Sequence, residues 1–259
     1  MFPRQSGSSR NTVVHNDSFD AERTRAILKK CKSHGVSVSS ALFAACNLGW
    51  AKTSPQSPEL PTMMYSALNV RPHLMSEPSP HDSYWFLSIG FFNVVLPSFF
   101  PASDDLAPTF WHRSREAKRQ STAAMKTPML VSRCREMARE RSDRAQTWAR
   151  QDDGKPAKET QNTISLFGKA SERPPSKVLI GLSLLGNLDG VYKHASFPEI
   201  QLHTLTTGSR QRSSGMLVFG YTFAGKLWVS LGYDENGFDK AVVETFWNNV
   251  LRVVDEYMS

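Results

Sequence analysis

The sequence predicts an α/β fold, a layered sandwich of a mixed β-sheet with covering helices. Three observations carry this. Segments of helical periodicity and segments rich in β-formers both occur, in the order helix, helix, strand, strand, helices, then strands and a closing helix. Strand and helix do not alternate strictly, and neither GxGxxG nor GxxxxGK(S/T) occurs, so dinucleotide-binding and P-loop arrangements are excluded. Hydrophobic residues make up 40% and charged residues 21% of the 259, enough for one large core or two small ones.

Residues 1–17 are expected to be a disordered terminus. Met1 to Asn11 is polar and basic without an apolar stretch, so no secretory signal is expected. A helix is predicted over Ser18–Lys32. Asp20 can cap it, Glu22 suits its first turn, Ile27, Leu28 and Cys31 share a face, and Gly35 stops it. Ser37 or Ser39 can cap a second helix through Trp50, whose Ala41, Ala44, Ala45 and Gly49 imply close packing. Thr53 to Pro61 is a loop.

Met63–Val70 predicts a strand ended by Arg71-Pro72, and Phe86–Leu96 a second, ended at Pro97. Ser103 or Asp105 can begin a helix through Phe110, Trp111, Ser114 and Ala117. Met129–Arg150 predicts another, and about 151–175 a mobile connection. Val178–Leu185 is apolar enough for a buried strand, and Ile200–Leu205 alternates weakly. Met216–Phe223 and Leu227–Tyr233 flank Ala224-Gly225-Lys226 as a hairpin. Phe238, Val242, Phe246, Val250, Val254 and Tyr257 recur at nearly helical spacing.

No run of about 18 apolar residues occurs; the richest, Trp85 to Phe100, is broken by Ser88, Gly90, Asn93 and Pro97, so no membrane span is expected. Three cysteines, Cys31, Cys46 and Cys134, show no zinc or disulfide spacing, and no metal site is expected. A reducing, cytoplasmic setting fits them. The net charge of +7 suits an anionic small molecule or nucleic acid. Six arginines (133, 135, 139, 141, 144 and 150) lie on the Met129–Arg150 helix. Glu136, Glu140 and Asp143 are interleaved, with Glu140–Arg144 and Arg139–Asp143 at pairing distance, so nucleic acid is not the expected partner. Of seven histidines none forms HExxH, and GxSxG is absent.

Four segments form a pattern in order. They are Lys29-Lys30-Cys31-Lys32 with Gly35-Val36-Ser37-Val38; Asn69-Val70-Arg71-Pro72; Gly90-Phe91-Phe92-Asn93 with Pro97; and Ser183-Leu184-Leu185-Gly186-Asn187 with Leu231-Gly232-Tyr233-Asp234. The pattern resembles the C-terminal half of the chloramphenicol-acetyltransferase-like superfamily. That superfamily includes condensation domains, plant BAHD acyltransferases and fungal alcohol acetyltransferases. Within it, the sequence resembles the fungal trichothecene 15-O-acetyltransferase-like proteins. The resemblance covers about Phe19 to Tyr257, so 18–259 is expected to be one acyltransferase-like half.

The resemblance implies acetyl transfer from acetyl-CoA, a co-substrate and not a tightly bound cofactor, to an alcohol of a fungal secondary metabolite. It implies that Gly90, Asn93, Ser183, Gly186 and Asn187 contact the cofactor. Asn69 and Arg71 would border the substrate tunnel, Arg71 as a buried ion-pair partner, and Tyr233 and Asp234 would pack and cap. The family's base is a His in HxxxD. Here no His has Asp four positions later; His73 has Glu77 at that spacing, in the loop after Asn69-Val70-Arg71. No catalytic residue is therefore assigned. The expectation is an incomplete enzyme, inactive alone, that pairs with a missing N-terminal half or with itself. The alternative is a non-catalytic half-fold or interaction subunit.

Overall fold

The structure is a computed structural model that describes residues 9–54, 58–74, 88–102, 105–155, 179–212 and 214–259. Among these, six strands form one sheet in the order β1-β6-β5-β4-β2-β3. The strands are β1 (Thr12–Phe19), β2 (Thr62–Asn69), β3 (Ile89–Leu96), β4 (Ile180–Asn187), β5 (Met216–Phe223) and β6 (Lys226–Asp234). The helices are α1 (Ala21–Ser33), α2 (Val38–Thr53), α3 (Ala107–Lys126), α4 (Leu130–Asp152) and α5 (Lys240–Met258). β2–β4 and β4–β5 are parallel, β1–β6 and β5–β6 antiparallel, so the sheet is mixed as expected.

Local chemistry sets the boundaries. Asp20 accepts the Arg23 N–H and starts α1; Gly35, at φ +70°, ends it. Ser37 accepts the Ser40 N–H and starts α2. Asp105 accepts the Ala107 N–H at α3, and Asp239 those of Ala241 and Val242 at α5. Ala224 and Gly225 both have positive φ, the backbone of a two-residue hairpin turn.

Three expectations are corrected. From Thr12 onward the terminus is a strand. Its core-facing positions are Val13, His15, Asp17 and Phe19, so the hydrophobic signal is diluted. Asp17 is held there by the Trp247 Nε1–H at 2.8 Å. Ile200–Leu205 is not a strand; it crosses the sheet as irregular chain, and the Leu205 carbonyl accepts the Tyr221 hydroxyl. α4 runs through Asp152 into what was expected to be a connection. Residues 156–175 of that connection, with Trp85, Phe86 and Ser103, lie outside the described residues.

The chain divides into two units. The first comprises Met1–Ala67, Phe92–Ala123 and Val178–Ser259. Here α1, α2, α5 and the first part of α3 share one core with the inward side chains of the sheet. α2 is buried on nearly every side, including Leu42, Phe43, Cys46 and Leu48, and its buried Asn47 is held by hydrogen bonds. Phe110 stacks on Tyr257 at 5.3 Å, and Trp50 meets Phe246 edge-on at 6.3 Å. Each such side chain stabilises the fold by about 1.5–3 kcal/mol when fully buried. The opposite sheet face carries Phe219, Tyr221 and Phe223 beneath Leu188, Tyr192 and Leu205.

The second unit comprises Leu68–Phe91 and Ala124–Lys177. α4 lays Cys134 on Gly90, and the Arg141 guanidinium sits 3.6 Å over the Phe91 ring. Glu140 pairs with Arg144 as expected, whereas Arg139 pairs with Glu136. These exposed pairs contribute about 0.2–1 kcal/mol each.

Candidate functional site

A cavity of about 250 Å³ opens where the α1–α2 turn meets the ends of β4 and β5. Leu28, Val36, Leu42 and Leu227 supply apolar wall; Ser37, Ser39, Asn187 and Thr222 supply hydroxyl and amide groups. The turn is fixed from α3. Its His34 ring stacks on Trp111 at 3.8 Å, and Lys118 Nζ donates to the Gly35 carbonyl at 2.7 Å. On the facing side Gly186, at φ +75°, lets β4 bulge, and Asn187 Oδ1 accepts from the Gly190 N–H and the Thr222 hydroxyl.

The electrostatics favour an anionic or carbonyl-bearing guest. The N-terminus of α2 opens onto the cavity, and a helix N-terminus concentrates positive potential. Lys29 and Lys32 are exposed and adjoin the lining residues Leu28 and Cys31 in sequence. Burial pushes the Cys31 thiol up to about 11, partly offset by Lys30, so Cys31 lines the cavity as a neutral thiol and not as a nucleophile.

Of the residues expected to contact the cofactor, Gly186 and Asn187 line this cavity. Ser183 is half-buried within β4, and Asn93 is exposed on β3; neither is among the lining residues. The space over Gly90 is filled from within the protein. A Cβ there would meet Cys134 Sγ at 2.3 Å, so the close approach serves helix packing. Asn69 is exposed and turns its Oδ1 to the Arg71 N–H at 3.1 Å. Arg71 is half-buried, not buried as expected, because it heads a short exposed turn.

Tyr233 packs in the core and Asp234 ties chain segments together. Tyr233 is fully buried against His15 and Phe238; its hydroxyl pKa is raised by burial and by Glu235 and Glu244. Asp234 accepts the Asn11 and Ser214 N–H groups, each at 2.9 Å, tying β1 to the approach to β5.

Sequence reasoning missed the buried arginine. Arg113 of α3 donates to Asn47 Oδ1 at 2.8 Å and to the Phe99 carbonyl, and burial lowers its pKa to about 10. Asn47 in turn donates to Thr62 Oγ1 at 2.6 Å and to the Pro97 carbonyl at 3.0 Å. The signal was present, since Arg113 lies in the stripe of Phe110, Ser114 and Ala117. Also missed was Asp189. It accepts the Ala224 and Gly225 N–H groups and lies 3.0 Å from His194 Nε2. Burial raises its carboxyl pKa, but these bonds outweigh that and hold it below the usual carboxylate range.

The sheet, its single helical layer and the irregular cover on its other face define the fold of one half of the condensation and chloramphenicol-acetyltransferase-like proteins. The trichothecene 15-O-acetyltransferase from Fusarium sporotrichioides is similar, with TM-score 0.69 and 11% identity over 97% of this chain and 48% of that one. The epimerization domain of tyrocidine synthetase B aligns at TM-score 0.59 and 14% identity, over 100% of this chain and 52% of that one. The PapA2 acyl transferase aligns at TM-score 0.62 and 13% identity, over 100% and 48%. The chain thus spans about half the length of these solved structures. No protein-family profile and no curated protein matches the sequence.

Proposed function

We propose that this chain is the thioester-holding half of an acyl-CoA-dependent O-acetyltransferase. The observation that carries the reading is the cavity between the α1–α2 turn and Gly186-Asn187. Its apolar walls suit an acyl group and part of a pantetheine arm. At about 250 Å³ it is below the roughly 300–1,000 Å³ of sites that enclose a whole drug-sized ligand, so the nucleotide would lie outside, near Lys29 and Lys32. The α2 N-terminus supplies N–H donors for a thioester carbonyl or phosphate. The neutral Cys31 thiol fits direct transfer to an acceptor alcohol better than a covalent acyl-enzyme.

The likeness to a trichothecene acetyltransferase supports a terpenoid alcohol of fungal secondary metabolism as acceptor. In this reading the general base comes from a separate polypeptide segment, since the sequence has no HxxxD. A second reading, an interaction subunit, is favoured by the exposed apolar residues Leu185, Val191, Phe197, Ile200 and Leu202.

Calorimetric titration of the purified chain with acetyl-CoA tests the proposal. Saturable binding is expected, and Ser39→Trp, which fills the cavity mouth, should abolish it. No binding, or equal affinity in the variant, would refute the reading. Turnover with terpenoid alcohols should stay at background, because a missing base costs a factor of roughly 10²–10⁴.

A further inference from the structure

The two edges of the sheet are treated differently. At the β3 edge the Gln120 side chain stands in for a neighbouring strand. Its Oε1 accepts the Val95 N–H and its Nε2 donates to the Val95 carbonyl, each at 2.8 Å. At the β1 edge no further strand pairs among the described residues. β1 is eight residues long and contains no Pro or Lys to blunt the edge, and its one inward charge, Asp17, is satisfied by Trp247.

The direction of its free backbone groups follows from the register. Glu235 N–H donates to the Asn11 carbonyl, so odd-numbered residues of β1 turn their backbone toward β6. The other end agrees. Opposite Phe19, Leu227 N–H donates to the Thr24 hydroxyl, which passes the bond on to the Phe19 carbonyl. Thr12, Val14, Asn16 and Ser18 therefore turn N–H and C=O outward, and Val14, Asn16 and Ser18 are exposed.

We propose that this edge pairs with the same edge of a second copy of the chain, antiparallel about a two-fold axis at Asn16. Charge selects that register. Centred on Asn16, His15 lies opposite the partner's Asp17, twice by symmetry, and Val14 lies opposite the partner's Ser18. Centring on His15 would set two histidines face to face, and centring on Asp17 two carboxylates, which is unfavourable. Trp247 donates to Asp17 Oδ2, and in this register Asp17 Oδ1 is the acceptor left for the partner's His15. The interaction joins two six-stranded sheets into one and is independent of the acyltransferase reading.

Cross-linking of the full chain tests both partner and register. In a hydrogen-bonded antiparallel pair opposed Cα atoms are about 5.5 Å apart, within disulfide range. Asn16→Cys should give a covalent dimer under mild oxidation. Ser18→Cys should not, unless mixed with Val14→Cys. The native cysteines are buried and do not compete. Asn16→Pro removes an outward donor, leaves the β6 ladder intact, and should weaken dimerisation by about tenfold or more with an unchanged circular dichroism spectrum. A native chain that sediments as a monomer at every concentration overturns the proposal, including the case where β1 serves a different protein. So does a dimer that cross-links through Ser18→Cys alone.

Discussion

Replacing Asn47 by Ala should be among the most damaging single changes in the first unit. The substitution removes the acceptor of the buried Arg113 guanidinium and the donor to Thr62 and Pro97. A hydrogen bond to a charged group contributes about 1.5–3 kcal/mol and a neutral one about 0.5–1.5, so losing one of the first kind and two of the second should cost about 2.5–6 kcal/mol. That is a large part of the roughly 5–15 kcal/mol available to an ordinary domain. Desolvation already works against this arginine, whose pKa burial lowers to about 10. Arg113→Met removes the buried charge and leaves only neutral groups unpaired, so it should cost less than Asn47→Ala. Urea unfolding followed by circular dichroism gives both values from midpoints at constant slope. A loss below about 1 kcal/mol for Asn47→Ala, or a larger loss for Arg113→Met, would refute this account of the network.

Gly90→Ala should destabilise the second unit by about 1–3 kcal/mol through collision with Cys134, and Cys134→Ala in the same chain should restore most of it; denaturation of both variants checks this. Cys46, pushed up to about 12 by burial, and Cys31, at about 11, should react with a thiol reagent at neutral pH only after unfolding, as absorbance kinetics with and without denaturant would show. The depressed Asp189 carboxyl stabilises the β5–β6 turn fully above the unfolded-state value of about 3.9, and that stabilisation should fade as pH falls through its lower folded value. Asp189→Asn should flatten this part of the acid-unfolding profile.

Legibility in the sequence followed the physics of each element. The hairpin, α1, α2 and α5 were readable because caps, turn residues and apolar spacing agree locally. β1 was not, because an edge strand can place His15 and Asp17 on its inward side when Tyr233 and Trp247 receive them. At the cavity, the α1–α2 turn and Gly186-Asn187 were legible as motifs. Gly220, Tyr221 and Thr222 were not, since they arrive through the parallel pairing of β4 with β5, a long-range choice without a local signature. Gly90 drew attention for a real reason, a close approach, but sequence could not say that the approaching group was Cys134.

The bridge from Leu227 through the Thr24 hydroxyl to Phe19 joins residues 203 apart in sequence, and the Trp247–Asp17 bond spans 230. β1 and the first two helices therefore leave the ribosome long before the strand and helix that complete them. Until then they carry an unpaired strand and a helix, α2, whose alanine, leucine and phenylalanine side chains have no core to enter. Such a nascent chain exposes apolar surface and an unpaired strand until its last residues are made, which favours aggregation over folding. Slowing synthesis between α4 and β5 should lower the yield of folded protein without changing a single contact in the finished molecule.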